Sequence, residues 1–153
     1  MHRRVHEAFA SNEIQQQEIT VNVVATADIR SMEDVQEMVD AFYEKVRADD
    51  ILGIIFDEMA QVDWKAHLPL MYQFWSTILL HREGYRGNTI EAHVRFDAEM
   101  RFDHGVGLER VDFERWLQLF RETIDERFQG PRAEMAKRGA KRMGEYMMAS
   151  LLL

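Results

Sequence analysis

The sequence predicts an all-α fold, and three observations carry that expectation. Apolar residues recur at the i, i+3, i+4, i+7 spacing of a helix in four separate stretches. Beyond residue 30 no run alternates apolar and polar residues convincingly enough to build a sheet. Gly and Pro are sparse, at 8 and 2 of 153 residues, so few breaks interrupt the periodic segments.

Residues 1–30 differ from the rest of the chain. HEAFASNEIQQQE suits one short helix, and ITVNVVATAD leans towards strand but has no partner strand in view. We read residues 1–30 as an N-terminal extension, a mobile arm or a short helix, and residues 31–153 as one domain. SMED caps the first helix and places acids in its first turn. Val35, Met38, Val39, Phe42, Tyr43 and Val46 form its apolar face, and it ends near Asp49. A short turn or helix, DILGIIF, leads to Phe56.

A second helix runs from about Asp63 to Leu80. Trp64, Leu68, Met71, Trp75, Ile78 and Leu79 mark one apolar stripe; His67, Met71, Phe74 and Ile78 mark a second beside it. Such a wide face exceeds what one neighbouring helix covers. Pro69 removes a backbone donor and should bend this helix or disturb its first turn, where His67 sits. The stretch HREGYRGNTIEAHVRFDAEMRFDHGVGLER has two Gly-containing breaks and weak periodicity, and reads as loop with short helical pieces. A third helix over about 110–129 turns Phe113, Trp116, Leu117, Phe120, Ile124 and Phe128 inward. Gly130–Pro131 stops it and starts the last helix, which runs to about Leu151 and buries Ala136, Ala140, Met143 and Met147.

Composition narrows the function classes. With 46 % apolar residues the chain can bury a substantial core. Its formal net charge of −8 disfavours nucleic acid and anionic lipid as partners. The absence of cysteine excludes disulfides, thiolate catalysis, iron–sulfur clusters and covalent Cys-x-x-Cys-His haem attachment. No apolar run suits a signal peptide or a membrane span, so the expected location is cytoplasmic.

Four histidines lie beyond residue 30: His67, His81, His93 and His104. None pairs at the close spacing of a zinc helix, no Glu-x-x-His marks a di-iron bundle, and no phosphate loop or nucleophile elbow appears. Taken alone, His67 reads as a satisfied core histidine, Tyr43 as packing with its hydroxyl at the rim, and Trp116 as a core anchor. Taken together, they suit a flat apolar ligand held between helices. Haem needs an axial base, most often imidazole, and large apolar side chains on both faces. A Tyr hydroxyl and a Trp indole N–H then suit hydrogen bonding to bound dioxygen in a dry pocket.

Five segments, FYEKVRADDILGIIF, DWKAHLPLMYQFW, YRGNTIEAH, FERWLQLF and PRAEMAKRGAKRM, resemble in that order the truncated globins of group III. The likeness covers about residues 28–149. It implies a two-on-two helical sandwich around non-covalent haem b. On that resemblance His93 is the proximal iron ligand, and Tyr43, His67 and Trp116 form the distal polar set. Phe56 wedges the haem edge, and Met71, Phe74 and Trp75 line the distal helix side. The sequence departs from the group in three places. The stretch between His93 and Trp116 is long and holds a second histidine, His104. Thr89 stands where proline is frequent, and residues 1–30 are an addition. Arg82, Arg86 and Arg101 are near enough in sequence to meet haem propionates, although Arg101 reads better as a solvated surface charge.

The expected function is a monomeric haem b protein that binds dioxygen, nitric oxide and carbon monoxide. Several donors to bound dioxygen slow its release, which suits sensing, scavenging or reaction better than transport. A second reading is enzymatic: nitric oxide dioxygenation or peroxidase-like chemistry, served by a separate reductase because the chain has no flavin or nicotinamide domain. A third is a helical interaction protein without haem, its Met and aromatic stripes serving only as core.

Overall fold

The computed structural model describes residues 26–85 and 87–151. The anticipated short helix and β-leaning stretch within residues 1–25 lie outside these, as does Arg86.

Helix α1 spans Met32–Ala48. Ser31 caps it in a reciprocal box: its hydroxyl accepts from the Asp34 amide at 3.2 Å, and the Asp34 carboxylate accepts from the Ser31 amide at 3.1 Å. The face read from the sequence is the buried face, Val35 to Val46. Asp49 ends the helix and turns its carboxylate back on the amides of Ile51 and Leu52, at 3.1 and 3.0 Å. A one-turn π-helical stretch, Ile54–Met59, comes next. Gly53 begins it because a Cβ there would lie 2.7 Å from the Arg47 carbonyl oxygen.

Helix α2 spans Trp64–Leu80 and carries Pro69 inside it. Its first turn is irregular: the Asp63 carbonyl accepts from both Ala66 and His67, at 3.1 and 2.8 Å. The helix closes at His81, which takes the left-handed conformation (φ 54°).

The next stretch corrects the sequence reading. Instead of loop with short helical pieces, the chain forms one 16-residue helix, α3, over Thr89–His104. Asn88 caps it through the Glu91 amide at 3.1 Å, and Gly105 (φ 71°) ends it. The apolar residues of α3 are spread around its circumference, so it has no one-sided stripe for a periodicity argument to find. Tertiary contacts hold it instead. The buried Asp97 carboxylate accepts from the Leu108 amide at 2.6 Å and from Arg101 Nε at 2.8 Å, tying the helix to the chain beyond Gly105. Helices α4 (Arg110–Arg127) and α5 (Pro131–Leu151) complete the chain.

The pair α1/α2 stacks on the pair α4/α5, through α1 against α4 and α2 against α5; α3 leans on α5. This is the two-on-two helical sandwich that the sequence resemblance implies. Phe42, Phe120, Ile124, Leu79 and Met38 fill its centre. Among the described residues there is no strand, and no helix is long and apolar enough to cross a membrane.

Residues 26–30 join this body. Ile29 is wholly buried. The Asp28 carboxylate accepts from the amides of Arg132 and Ala133, at 3.0 and 2.9 Å, and so caps α5 from a distant part of the chain. Partial burial pushes the Asp28 pKa up, but the amides of Arg132, Ala133 and Ile29 and the Arg132 charge outweigh it. The net effect holds the carboxyl below its ordinary value. A carboxylate depressed in the folded state stabilises it above the unfolded-state pKa and loses that contribution as the pH falls through the folded value. Asp28→Asn should therefore cost about 1 kcal/mol at neutral pH. Urea melts should show the deficit shrinking as the pH drops below the carboxylate range.

Candidate functional site

Between α2, α3, α4 and α5 lies an apolar cavity of about 270 Å³. Each wall comes from a different element. The π-helical stretch supplies Ile55 and Phe56, and α2 supplies His67. Helix α3 brings Ala92, His93 and Phe96; α4 brings Phe113 and Trp116; α5 brings Met143, Gly144 and Met147. Gly144 is buried, and a Cβ there would already lie 3.3 Å from Leu117, so the wall passes close to bare backbone. Asp112 also borders the cavity, but its carboxylate is held by the Glu109 amide at 2.8 Å.

Two imidazoles therefore enter one cavity from separate helices. His93 Nδ1 lies 2.7 Å from the Thr89 carbonyl oxygen, one turn earlier in α3. A carbonyl only accepts, so Nδ1–H donates, and in the neutral ring Nε2 carries the lone pair. Burial lowers the His93 pKa, against an opposing pull from the Thr89 hydrogen bond. Burial also lowers that of His67, helped by the neighbouring His93 imidazole. Both rings are thus biased towards the neutral form.

His67 Nε2 lies 3.1 Å from the Tyr43 hydroxyl. Burial pushes the Tyr43 phenol up, so it stays protonated. The Tyr43 and Trp64 rings stand 5.2 and 5.7 Å from the His67 ring, both edge-on, and Phe56 stacks on Trp64 at 5.9 Å. Outside this aromatic box, Trp64 Nε1 donates to Asp57 at 2.8 Å, and the Arg47 guanidinium sits 5.0 Å above the Trp64 ring. Trp116 lines the cavity from α4, and its indole nitrogen can only donate.

Of the residues singled out from sequence, the structure brings Phe56, His67, His93 and Trp116 to the cavity wall. Tyr43 stands one hydrogen bond behind His67. Met71, Phe74 and Trp75 are not among the walls: Trp75 stacks on Phe120 at 4.9 Å, and Phe74 meets Trp75 and Tyr85 edge-on. Each helical turn advances the face by about 5.4 Å, and on α2 the cavity is met only by His67. His104 is exposed in the last turn of α3. Arg82 is exposed, and Arg101 is paired with Asp97.

Sequence reasoning misses Trp64 and Phe96 as parts of the site. Phe96 stands three residues after His93 on the same helical face, a signal legible only once α3 is recognised as a helix. Helical spacing marks Phe113, Met143 and Met147 as core; the structure makes them cavity wall.

No model of a known protein family matches the chain. The chain is 30 % identical over 98 residues to the group 3 truncated hemoglobin ctb of Campylobacter jejuni, covering 62 % of this chain and 70 % of that protein. Its fold is similar to the crystal structure of the group III truncated hemoglobin from Campylobacter jejuni. There the TM-score is 0.66 at 26 % identity, over 80 % of this chain and 91 % of the other. Fold and sequence agree, and the chain belongs to the group III truncated haemoglobins.

Proposed function

We propose that the cavity holds haem b non-covalently and that the protein binds dioxygen and related diatomic ligands reversibly. One observation carries the reading: His93 spends its Nδ1 proton on the Thr89 carbonyl and so offers a neutral Nε2 at an apolar wall. The cavity's chemistry fits the group, since an imidazole with a free lone pair, set among Phe, Ile and Met side chains, is what a flat apolar ring with one axial base requires. Bound there, haem supplies an iron centre that takes a diatomic molecule.

The chain's own residues set how firmly such a guest is held. Phe96, Phe113, Met143 and Met147 exclude water and lower the local dielectric. Trp116, on the same wall, carries an indole N–H that serves a guest as donor. His67 and Tyr43 share one hydrogen bond, and its direction matters. When His67 Nε2–H donates to the phenol oxygen, the Tyr43 proton is free for a guest; when the phenol donates to Nε2, it is not. Tyr43 therefore acts as donor or as the group that orients His67.

Each hydrogen bond to a partly negative guest contributes roughly 1.5–3 kcal/mol. Tyr43→Phe should accordingly speed dioxygen release by about 10- to 100-fold, measured by stopped-flow displacement. An unchanged rate would show that the phenol neither donates nor orients.

The haem assignment is tested by absorption spectra of the hemin-loaded protein, ferric, reduced, and reduced with carbon monoxide. A sharp Soret band that shifts with carbon monoxide supports it. A spectrum of free hemin over a folded helical chain refutes it. A second reading, hydroperoxide reduction, is favoured by His67, whose neutral ring can take up a proton beside the guest.

A further inference from the structure

Five aromatic rings run in an unbroken line away from the cavity. Trp116, on the cavity wall, stacks on Phe120 at 5.6 Å with the planes 14° apart. Phe120 stacks on Trp75 at 4.9 Å and 24°. Trp75 meets Phe74 at 5.2 Å, and Phe74 meets Tyr85 at 5.1 Å. Every second ring is one that can be oxidised: Trp116, Trp75, Tyr85. The first is at the cavity, the second is buried, and the third is half-buried, with its hydroxyl 3.0 Å from that of Thr89. The Tyr85 ring lies over Gly87, where a Cβ would come within 2.5 Å of its hydroxyl oxygen.

We propose that Trp116, Trp75 and Tyr85 form an electron relay, and that Tyr85 is a surface oxidation site for phenolic one-electron donors too large to enter the cavity. The proposal rests on the haem reading above, with a hydroperoxide as oxidant. Reducing a hydroperoxide to alcohol and water breaks the O–O bond and consumes two electrons and two protons. Each electron leaves Trp116 for the cavity. Trp75 refills Trp116 across Phe120, and Tyr85 refills Trp75 across Phe74. Tyr85 releases its phenolic proton to water as it loses the electron, which makes it the natural end of the line. A phenol docked at Tyr85 then gives back one electron and one proton. The balance is one hydroperoxide and two phenols to one alcohol, one water and two phenoxyl radicals.

The arrangement also gives Trp75 a task. It lies on α2 outside the cavity walls, yet it is the ring through which the cavity's indole reaches α2 and the loop before α3.

The test uses the full chain loaded with hemin. Wild type and Trp75→Phe are treated with one equivalent of hydrogen peroxide and a nitroso spin trap, and labelled residues are located by peptide mass mapping. Wild type should be labelled at Tyr85. In Trp75→Phe, labelling at Tyr85 should fall severalfold and oxidation should pile up at Trp116. Phe74→Leu, which removes only the outer bridge, should leave Trp75 as the last labelled residue. Equal Tyr85 labelling in wild type and Trp75→Phe, or wild-type labelling confined to cavity residues, overturns the relay. Should hemin give no Soret band, the haem reading fails and the relay fails with it; a normal band with labelling only at the cavity sinks the relay alone.

Discussion

Replacing His93 with alanine should cost the protein its tight hold on haem. Loss of a partner behind a ligating imidazole already weakens a site by about 10–100-fold, and loss of the imidazole itself should exceed that. Hemin titration followed at the Soret band measures it. His104→Ala is the matched control. His104 is exposed at the far end of α3, so its removal should leave hemin affinity unchanged. Free imidazole added to His93→Ala should restore part of the spectrum, because the apolar walls remain. If His104→Ala lost the cofactor and His93→Ala kept it, the assignment of the ligand would be reversed.

The second large effect is expected at Phe42. This ring is almost wholly buried and touches Tyr43 at 4.9 Å, Trp116 at 5.4 Å and Phe120 at 5.2 Å. Truncation to alanine removes a large apolar side chain and leaves a cavity in a centre built from α1 and α4. The expected loss is about 3–5 kcal/mol, a sizeable part of the stability of a domain this size. Urea denaturation of the protein without haem would measure it. The same substitution frees two polar rings of the site from a shared support, so dioxygen release should also quicken. A loss below about 1 kcal/mol would mean that α1 and α4 close over the gap, and that Phe42 is not the keystone its contacts suggest.

Four of the five α-helices are legible in the sequence because each buries one face. Val35 to Val46 and Phe113 to Phe128 are spaced as a helix demands, and the caps at Ser31 and Gly130–Pro131 mark the ends. Helix α3 is not legible for the same physical reason reversed. It turns one side towards a cavity and the others towards solvent, and its most buried polar group, Asp97, serves a loop amide rather than a stripe. Of the site, residues from separate motifs converge from four different helices and the π-helical stretch. In sequence the wide apolar face of α2 reads as one surface. In three dimensions it divides: His67 turns to the cavity, while Trp75 turns to Phe120. Helical spacing reports which residues share a face but not how far along the helix a neighbour extends.

Helix α3 touches the rest of the fold mainly through α5, yet it is secured at two points by separate fastenings. At its start, Thr89 shares a hydrogen bond with Tyr85, whose ring is braced on Phe74 of α2. At its middle, Asp97 grips the amide of Leu108 at the threshold of α4. The helix that carries His93 is therefore a beam resting on two piers rather than a hinged flap. The imidazole sits between the piers, one turn from the Thr89 carbonyl that holds its Nδ1–H, so its bearing is fixed by two neighbouring helix pairs as well as by its own burial.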